Sequence, residues 1–128
     1  MQADRFTVKS QEAVQSAQRV ANAHRNPQVT PEHLLLAVLE QEDGFAPAAL
    51  RKLSADVAAI TERARNAVAA LPTVSGDTTE IRPSQSFLDS LQRAEKEMAA
   101  LGDEYITVGH LLLALAEKGS PRFAARIA

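Results

Sequence analysis

One eleven-residue run occurs twice in this chain. Thr30-Pro-Glu-His-Leu-Leu-Leu-Ala-Val-Leu-Glu40 aligns without gaps on Thr107-Val-Gly-His-Leu-Leu-Leu-Ala-Leu-Ala-Glu117, 77 positions on, with seven of the eleven residues identical. The same offset sets Thr7 on Ser84, Val14 on Leu91, Ala17 on Ala94, Ala21 on Met98 and Val29 on Ile106. Two leucine-rich helices can resemble each other by chance, but chance does not keep the preceding segment in register. The pattern is an internal duplication of a four-helix unit.

Helix is the state that the composition favours. Alanine supplies 24 of the 128 residues and aromatics only five, Phe6, Phe45, Phe87, Tyr105 and Phe123. Alanine has the best helix propensity and lets helices approach closely, whereas strand-favouring aromatics are scarce. An all-α fold follows: two pseudo-symmetric four-helix repeats packed as a compact bundle. Thr7 is placed to cap a first helix that runs to the Asn26-Pro27 breaker. Thr30, with Pro31 in the first helical position, starts a second, apolar nearly all round, which Gly44 ends. A short helical turn over Pro47–Lys52 leads to Ser54, the expected cap of a long helix striped by Val57, Ile60, Ala64, Ala67, Val68 and Leu71. Residues 72–82 read as a polar connection. Ser84 and Thr107 then restart the pattern, with stops at Gly102 and Gly119 and a last short helix from Pro121.

These elements divide the chain into repeat one at 1–71, a linker at 72–82 and repeat two at 83–128. The partner of helix 54–71 would fall near 131–148, so repeat two is expected to be incomplete, its last helix truncated.

Several classes of function are excluded at this stage. No apolar run approaches the roughly 20 residues of a membrane span, and the first residues lack an apolar export core. The expectation is a soluble, cytoplasmic chain with no membrane partner. The absence of cysteine excludes disulfides and thiolate chemistry. A net charge of −2 gives no reason to expect nucleic acid. No phosphate-cradling Gly-x-x-x-x-Gly-Lys-Ser/Thr pattern is present, so no ATP site is expected in this chain. His33 and His110 hold equivalent places in the two repeats without the spacing that sets two metal ligands on one helix face. They read as packed architectural histidines, with a small hydrolase or metal protein as a remote rival. Scattered carboxylates such as Glu95, Glu97, Asp103 and Glu104 read as solvated charge.

Five segments together carry a resemblance. Thr7-Val-Lys-Ser-Gln-Glu-Ala-Val14, Pro31-Glu-His-Leu-Leu-Leu-Ala37, Leu71-Pro-Thr-Val-Ser-Gly76, Pro83-Ser84 and Gly102-Asp-Glu-Tyr-Ile-Thr107 before His110-Leu-Leu-Leu-Ala114 are similar to the Clp amino-terminal domain. The Leu-Pro-x-Val-Ser-Gly and Thr-x-Lys-Ser-Gln-Glu-Ala pieces resemble the ClpB disaggregase branch most. The resemblance implies a non-enzymatic, substrate-engaging module in front of a homohexameric AAA+ ATPase that works with the DnaK system. ATP and magnesium would bind the parent's motor domains, outside this chain. It also implies a shallow apolar groove that captures unfolded or aggregated polypeptide. Thr7 and Asp103 would hold polar backbone there, while Val8, Leu88 and Leu91 would supply apolar contact. Two positions depart from the family: Ala13 is smaller than the common leucine, and Gly109 replaces a frequent acidic residue. The rival reading within the family is an adaptor- or degron-binding domain of a protease-coupled ClpC or ClpA type.

Overall fold

The starts of three helices are set by side chains that accept otherwise unpaired backbone N–H groups. The computed structural model describes residues 3–75 and 80–116. After a 3-10 turn at Ala3–Arg5, Thr7 Oγ1 accepts from the Ser10 N–H at 3.2 Å and opens helix α1, Val8–Ala23. A two-residue strand β1, Gln28–Val29, leads to α2, Pro31–Leu39, and then to α3, Phe45–Lys52. Helix α4, Val57–Ala69, is capped by Asp56, whose Oδ1 accepts from the Ala59 N–H at 3.1 Å. Strand β2, Arg82–Pro83, precedes α5, Gln85–Ala100, where Ser84 Oγ accepts from the Phe87 N–H at 3.0 Å. The last described element is α6, Val108–Ala116. The helix expected from Pro121 and the stop at Gly119 lie outside the described residues. No described helix is long and apolar enough to cross a membrane.

The offset of 77 governs the packing as well as the caps. Helix α1 buries Ser10, Ala13, Ala17 and Ala21; α5 buries Phe87, Ser90, Ala94 and Met98, the same four positions. Small residues on the first set bring α1 close against α2, and α5 lies in the same way against α6. Both α2 and α6 are central, with Leu34 and Leu111 fully buried. The C-terminal ends match too. Asn26 N–H bonds Ala21 O and Arg25 N–H bonds Asn22 O; Asp103 N–H bonds Met98 O and Gly102 N–H bonds Ala99 O. Each pair closes its helix through a residue of positive φ, Arg25 at 56° and Gly102 at 72°.

The repeats are stitched to each other crosswise. β1 pairs in parallel with β2, Gln28 opposite Arg82 and Val29 opposite Pro83, and the Ser84 N–H donates to Val29 O at 2.9 Å. At the equivalent place Phe6 bridges Ile106, and the Thr7 N–H donates to Ile106 O at 3.0 Å. The chain entering the first helix of each repeat is therefore held by the chain entering the second helix of the other.

Three expectations are corrected. Gly44 does not end α2, which stops at Leu39; it is the N-cap of α3, which begins at Phe45 rather than near Pro47. Ser54 does not cap α4. It sits at φ 60° and closes α3, with its N–H on Arg51 O and the Ala55 N–H on Leu50 O. The 72–82 connection contributes Arg82 to a strand pair that no local pattern announced.

The roles of Ser54 and Asp56 give opposite signs on substitution. Ser54→Gly relieves the left-handed backbone and is expected to raise stability by about 0.5 kcal/mol. Asp56→Ala removes the cap and should lower stability by about 1 kcal/mol. Thermal unfolding of the two variants checks this; a loss of stability in Ser54→Gly would contradict the assignment.

Candidate functional site

Both repeats brace the start of their second helix with the same side chains. In the first, the Thr30 N–H donates to His33 Nδ1 at 2.9 Å, and His33 Nε2 lies 2.8 Å from Asn26 Oδ1. In the second, the Thr107 N–H donates to His110 Nδ1 at 2.9 Å, and His110 Nε2 lies 2.8 Å from Asp103 Oδ2. Because Nδ1 accepts a backbone N–H, the neutral ring carries its proton on Nε2 and donates it to Asn26 or Asp103. The Thr107 hydroxyl stands 3.0 Å from the same Nδ1, so Thr107, His110 and Asp103 lie in a line that resembles a nucleophile–base–acid relay. The first repeat shows what the line is for. There His33 and Asn26 are buried and Thr30 is half-buried, and the same bonds hold the helix start. Among the described residues no group of three or more metal-ligating side chains gathers.

Burial, with a smaller contribution from His24, pushes the His33 imidazole from 6.5 down to about 4. The unfolded chain therefore binds a proton that the folded chain refuses between those values. Stability falls as pH drops through that window, by roughly 3 kcal/mol from this group if the whole interval is crossed. Urea unfolding at pH 7 and pH 4.5 should show the loss. His33→Gln should be less stable at pH 7 and should lose this part of the pH slope; an unchanged slope would contradict the assignment.

Where the repeats differ, a surface opens. Leu36 on α2 is 4% exposed, whereas Leu113, its equivalent on α6, is 47% exposed. Helix α4 lies on α2, and the chain after α4 reaches Asn26, whose Nδ2 donates to Pro72 O at 2.9 Å. Among the described residues nothing takes that place on α6. The result is an open crease of about 390 Å³ between α3 and α6, lined by Phe45, Leu53, Leu101, Asp103, Gly109 and Leu113 among others. Phe45, Leu53, Leu101 and Leu113 are exposed there, and Leu112 is half-buried; a contiguous exposed apolar patch is the kind of surface that makes contacts. Gly109 sets its depth. A Cβ there would stand 3.2 Å from the Phe45 ring and 3.3 Å from Thr107 Oγ1. Glycine therefore lets the ring settle onto the first turn of α6.

Of the residues expected in the groove, Asp103 lines this crease at its polar end, with its side chain half-exposed. Thr7 is bonded to Ile106, the neighbour of the crease residue Thr107, and Val8 beside it is exposed. Leu91 is half-buried on α5 and Leu88 is exposed. Leu88 and Leu101 are separated by about 20 Å of helical rise, so Leu88 stands apart from the crease. Phe45, Leu53, Leu101 and Leu113 were not singled out from the sequence. The available signal was Phe45 itself, one of few aromatics in an alanine-rich chain and the neighbour of a capping glycine.

Asp103 both braces His110 and faces the crease. Asp103→Asn keeps an acceptor for His110, as Asn26 does in the first repeat, and should leave stability within about 0.5 kcal/mol. Asp103→Ala should cost about 1 kcal/mol. Chemical denaturation separates the two; equal losses would show that the bond to His110 carries no weight.

A family model, the Clp repeat (R) N-terminal domain, matches residues 5–127, and the chain belongs to that family. Among curated relatives, chaperone protein ClpB of Bacillus cereus is 37% identical over 121 residues, which cover 92% of this chain and 14% of that protein. ClpB of Corynebacterium diphtheriae is 40% identical over 111 residues, covering 86% of this chain and 13% of that one. The chain thus spans a small fraction of the length of these relatives. Among solved structures, the Hsp104 N-terminal domain from Candida albicans superposes with a TM-score of 0.85 at 22% identity, covering 94% of this chain and 78% of that one. A ClpV N-domain in complex with a VipB peptide superposes with a TM-score of 0.73 at 20% identity, covering 97% and 72%.

Proposed function

We propose that this domain is the substrate-engaging N-terminal module of a ClpB-type ATP-dependent chaperone. It captures unfolded or aggregated polypeptide and passes it to a motor. The observation that carries the reading is the exposed apolar crease between α3 and α6, in a chain whose curated relatives include ClpB chaperones. A client that covers Phe45, Leu53, Leu101 and Leu113 gains about 25 cal/mol per Å² of apolar area removed from water. Ordering the client opposes that gain, so one crease binds weakly. Weak capture suits a module that must release what it holds, and a ring of six copies restores avidity. Asp103 meets polar groups of the client at the end of the crease. Thr7, Val8, Leu88 and Leu91 are the proposed contacts for a longer client continuing past α1 and α5.

In the same proposal the parent is a cytoplasmic homohexamer that cooperates with the DnaK system. ATP and magnesium act in motor domains outside these residues. A second reading, a module that docks a defined adaptor or degron as in ClpC or ClpA types, draws on the ClpV N-domain, which was solved with a specific VipB peptide.

Fluorescence anisotropy with labelled unfolded casein tests the site. The double variant Phe45→Ser, Leu113→Ser replaces two exposed side chains, so it should fold and bind roughly tenfold more weakly. Binding that survives this variant but is lost in Val8→Ser, Leu91→Ser would move the site to α1 and α5.

A further inference from the structure

Each histidine brace spans the segment on which the repeats cross. His33 takes the Thr30 N–H on Nδ1 and meets the Asn26 side chain with Nε2, so its ring is a strut across residues 26–30. That stretch, with Arg25 before it, receives the connection between the repeats at three places. The Val74 N–H donates to Arg25 O at 2.9 Å, the Arg82 N–H to Pro27 O at 3.3 Å and the Ser84 N–H to Val29 O at 2.9 Å. Asn26 Nδ2 adds a bond to Pro72 O. His110 is the equivalent strut across residues 103–107, where Ile106 O accepts from the Thr7 N–H and the Ile106 N–H donates to Arg5 O at 2.7 Å.

The two struts answer a proton differently. Nδ1 in each accepts a backbone N–H, so a proton placed there sets two donors face to face. The charged ring can turn its new N–H toward the threonine hydroxyl 3.0 Å away, which leaves the threonine N–H without its acceptor. In the second repeat the half-exposed carboxylate of Asp103 faces Nε2 and offsets the charge with a charge-assisted bond. In the first, Asn26 brings no charge, His33 and Asn26 are buried, and His24 at the end of α1 adds repulsion. Of the other charged residues on the neighbouring segments, Arg25 and Arg82 are exposed and Glu32 is half-buried on the His33 side, while Arg5 and Glu104 are exposed on the His110 side.

We propose that the crossing seam at residues 25–29 is an acid-sensitive latch, which opens locally on protonation of its histidine strut while the pseudo-equivalent seam at 103–107 stays closed. Opening frees the Pro72–Val74 strap and the start of α5 from the first repeat. The start of α6, with Asp103 and Thr107 of the crease, keeps its brace. The difference lies in one pair of residues, asparagine at 26 and aspartate at 103.

Amide hydrogen exchange of the 128-residue chain, followed by NMR at pH 7 and pH 5 and corrected for the intrinsic pH dependence of exchange, tests it. Protection of the Val74 and Ser84 amides should fall roughly twentyfold between the two, the change expected when opening returns His33 from about 4 to 6.5. Protection of the Thr7 and Ile106 amides should change little. His33→Gln should remove the loss at Val74 and Ser84. Asp103→Asn, which gives the second strut the acceptor of the first, should bring an acid loss to Thr7 and Ile106. Equal losses at both seams in the unsubstituted chain mark a global transition and overturn the proposal. So does a loss at Ser84 that persists in His33→Gln, or a Thr7 amide in Asp103→Asn that acid leaves as protected as before.

Discussion

Backbone hydrogen bonds cross between the halves of this fold, and two of them are related by the internal symmetry. The Thr7 N–H reaches Ile106 O and the Ser84 N–H reaches Val29 O, with Ile106 and Val29 buried beneath them. Each bond ties the entrance of one repeat to the middle of the other. Neither repeat completes its own core, and α2 and α6 become central because both sets of first helices converge on them. The Thr–His braces stand one residue further along, so the crossing also fixes where α2 and α6 begin. Buried backbone that must be paired therefore sets the architecture, and the apolar helices fill the space it defines.

The crease follows from the same arrangement. A symmetric fold offers two equivalent outer faces, and α4 covers the one on α2. Among the described residues nothing covers Leu113 on α6 or Leu101 at the end of α5, and Phe45 from the first repeat forms the far wall. The site is built from both repeats and belongs to neither alone. Gly109 contributes by what it lacks, since any side chain there would meet the Phe45 ring. The apolar stretch ends at Asp103, whose carboxylate is already oriented by His110.

Much of the fold was legible in the residues because its signals are local. Thr7, Thr30 and Ser84 mark helix starts, and the offset of 77 carries caps, core positions and the two histidines into register. Pairing across the repeats left no local trace: residues 28–29 and 82–83 have no strand periodicity, and only the three-dimensional crossing brings them together. Ser54 was misread because serine before a helix suggests a cap, while its positive φ is imposed by the end of α3. For the site, Asp103 could be named from family resemblance, but the apolar residues around it could not. Leu101 and Leu113 occupy positions that helical periodicity assigns to packing, and their exposure depends on what else covers α6. The link of Asp103 to His110, mirrored by Asn26 and His33, was present in the offset and becomes meaningful only with the distances.

The α3–α6 crease is the proposed seat of the client. Backbone NMR of the 128-residue chain titrated with unfolded casein tests it most directly. The largest amide shift changes are expected on Phe45, Leu53, Asp103, Gly109 and Leu113. Changes clustered instead around Leu88 and Leu91 on α5, with the crease residues unmoved, would contradict it.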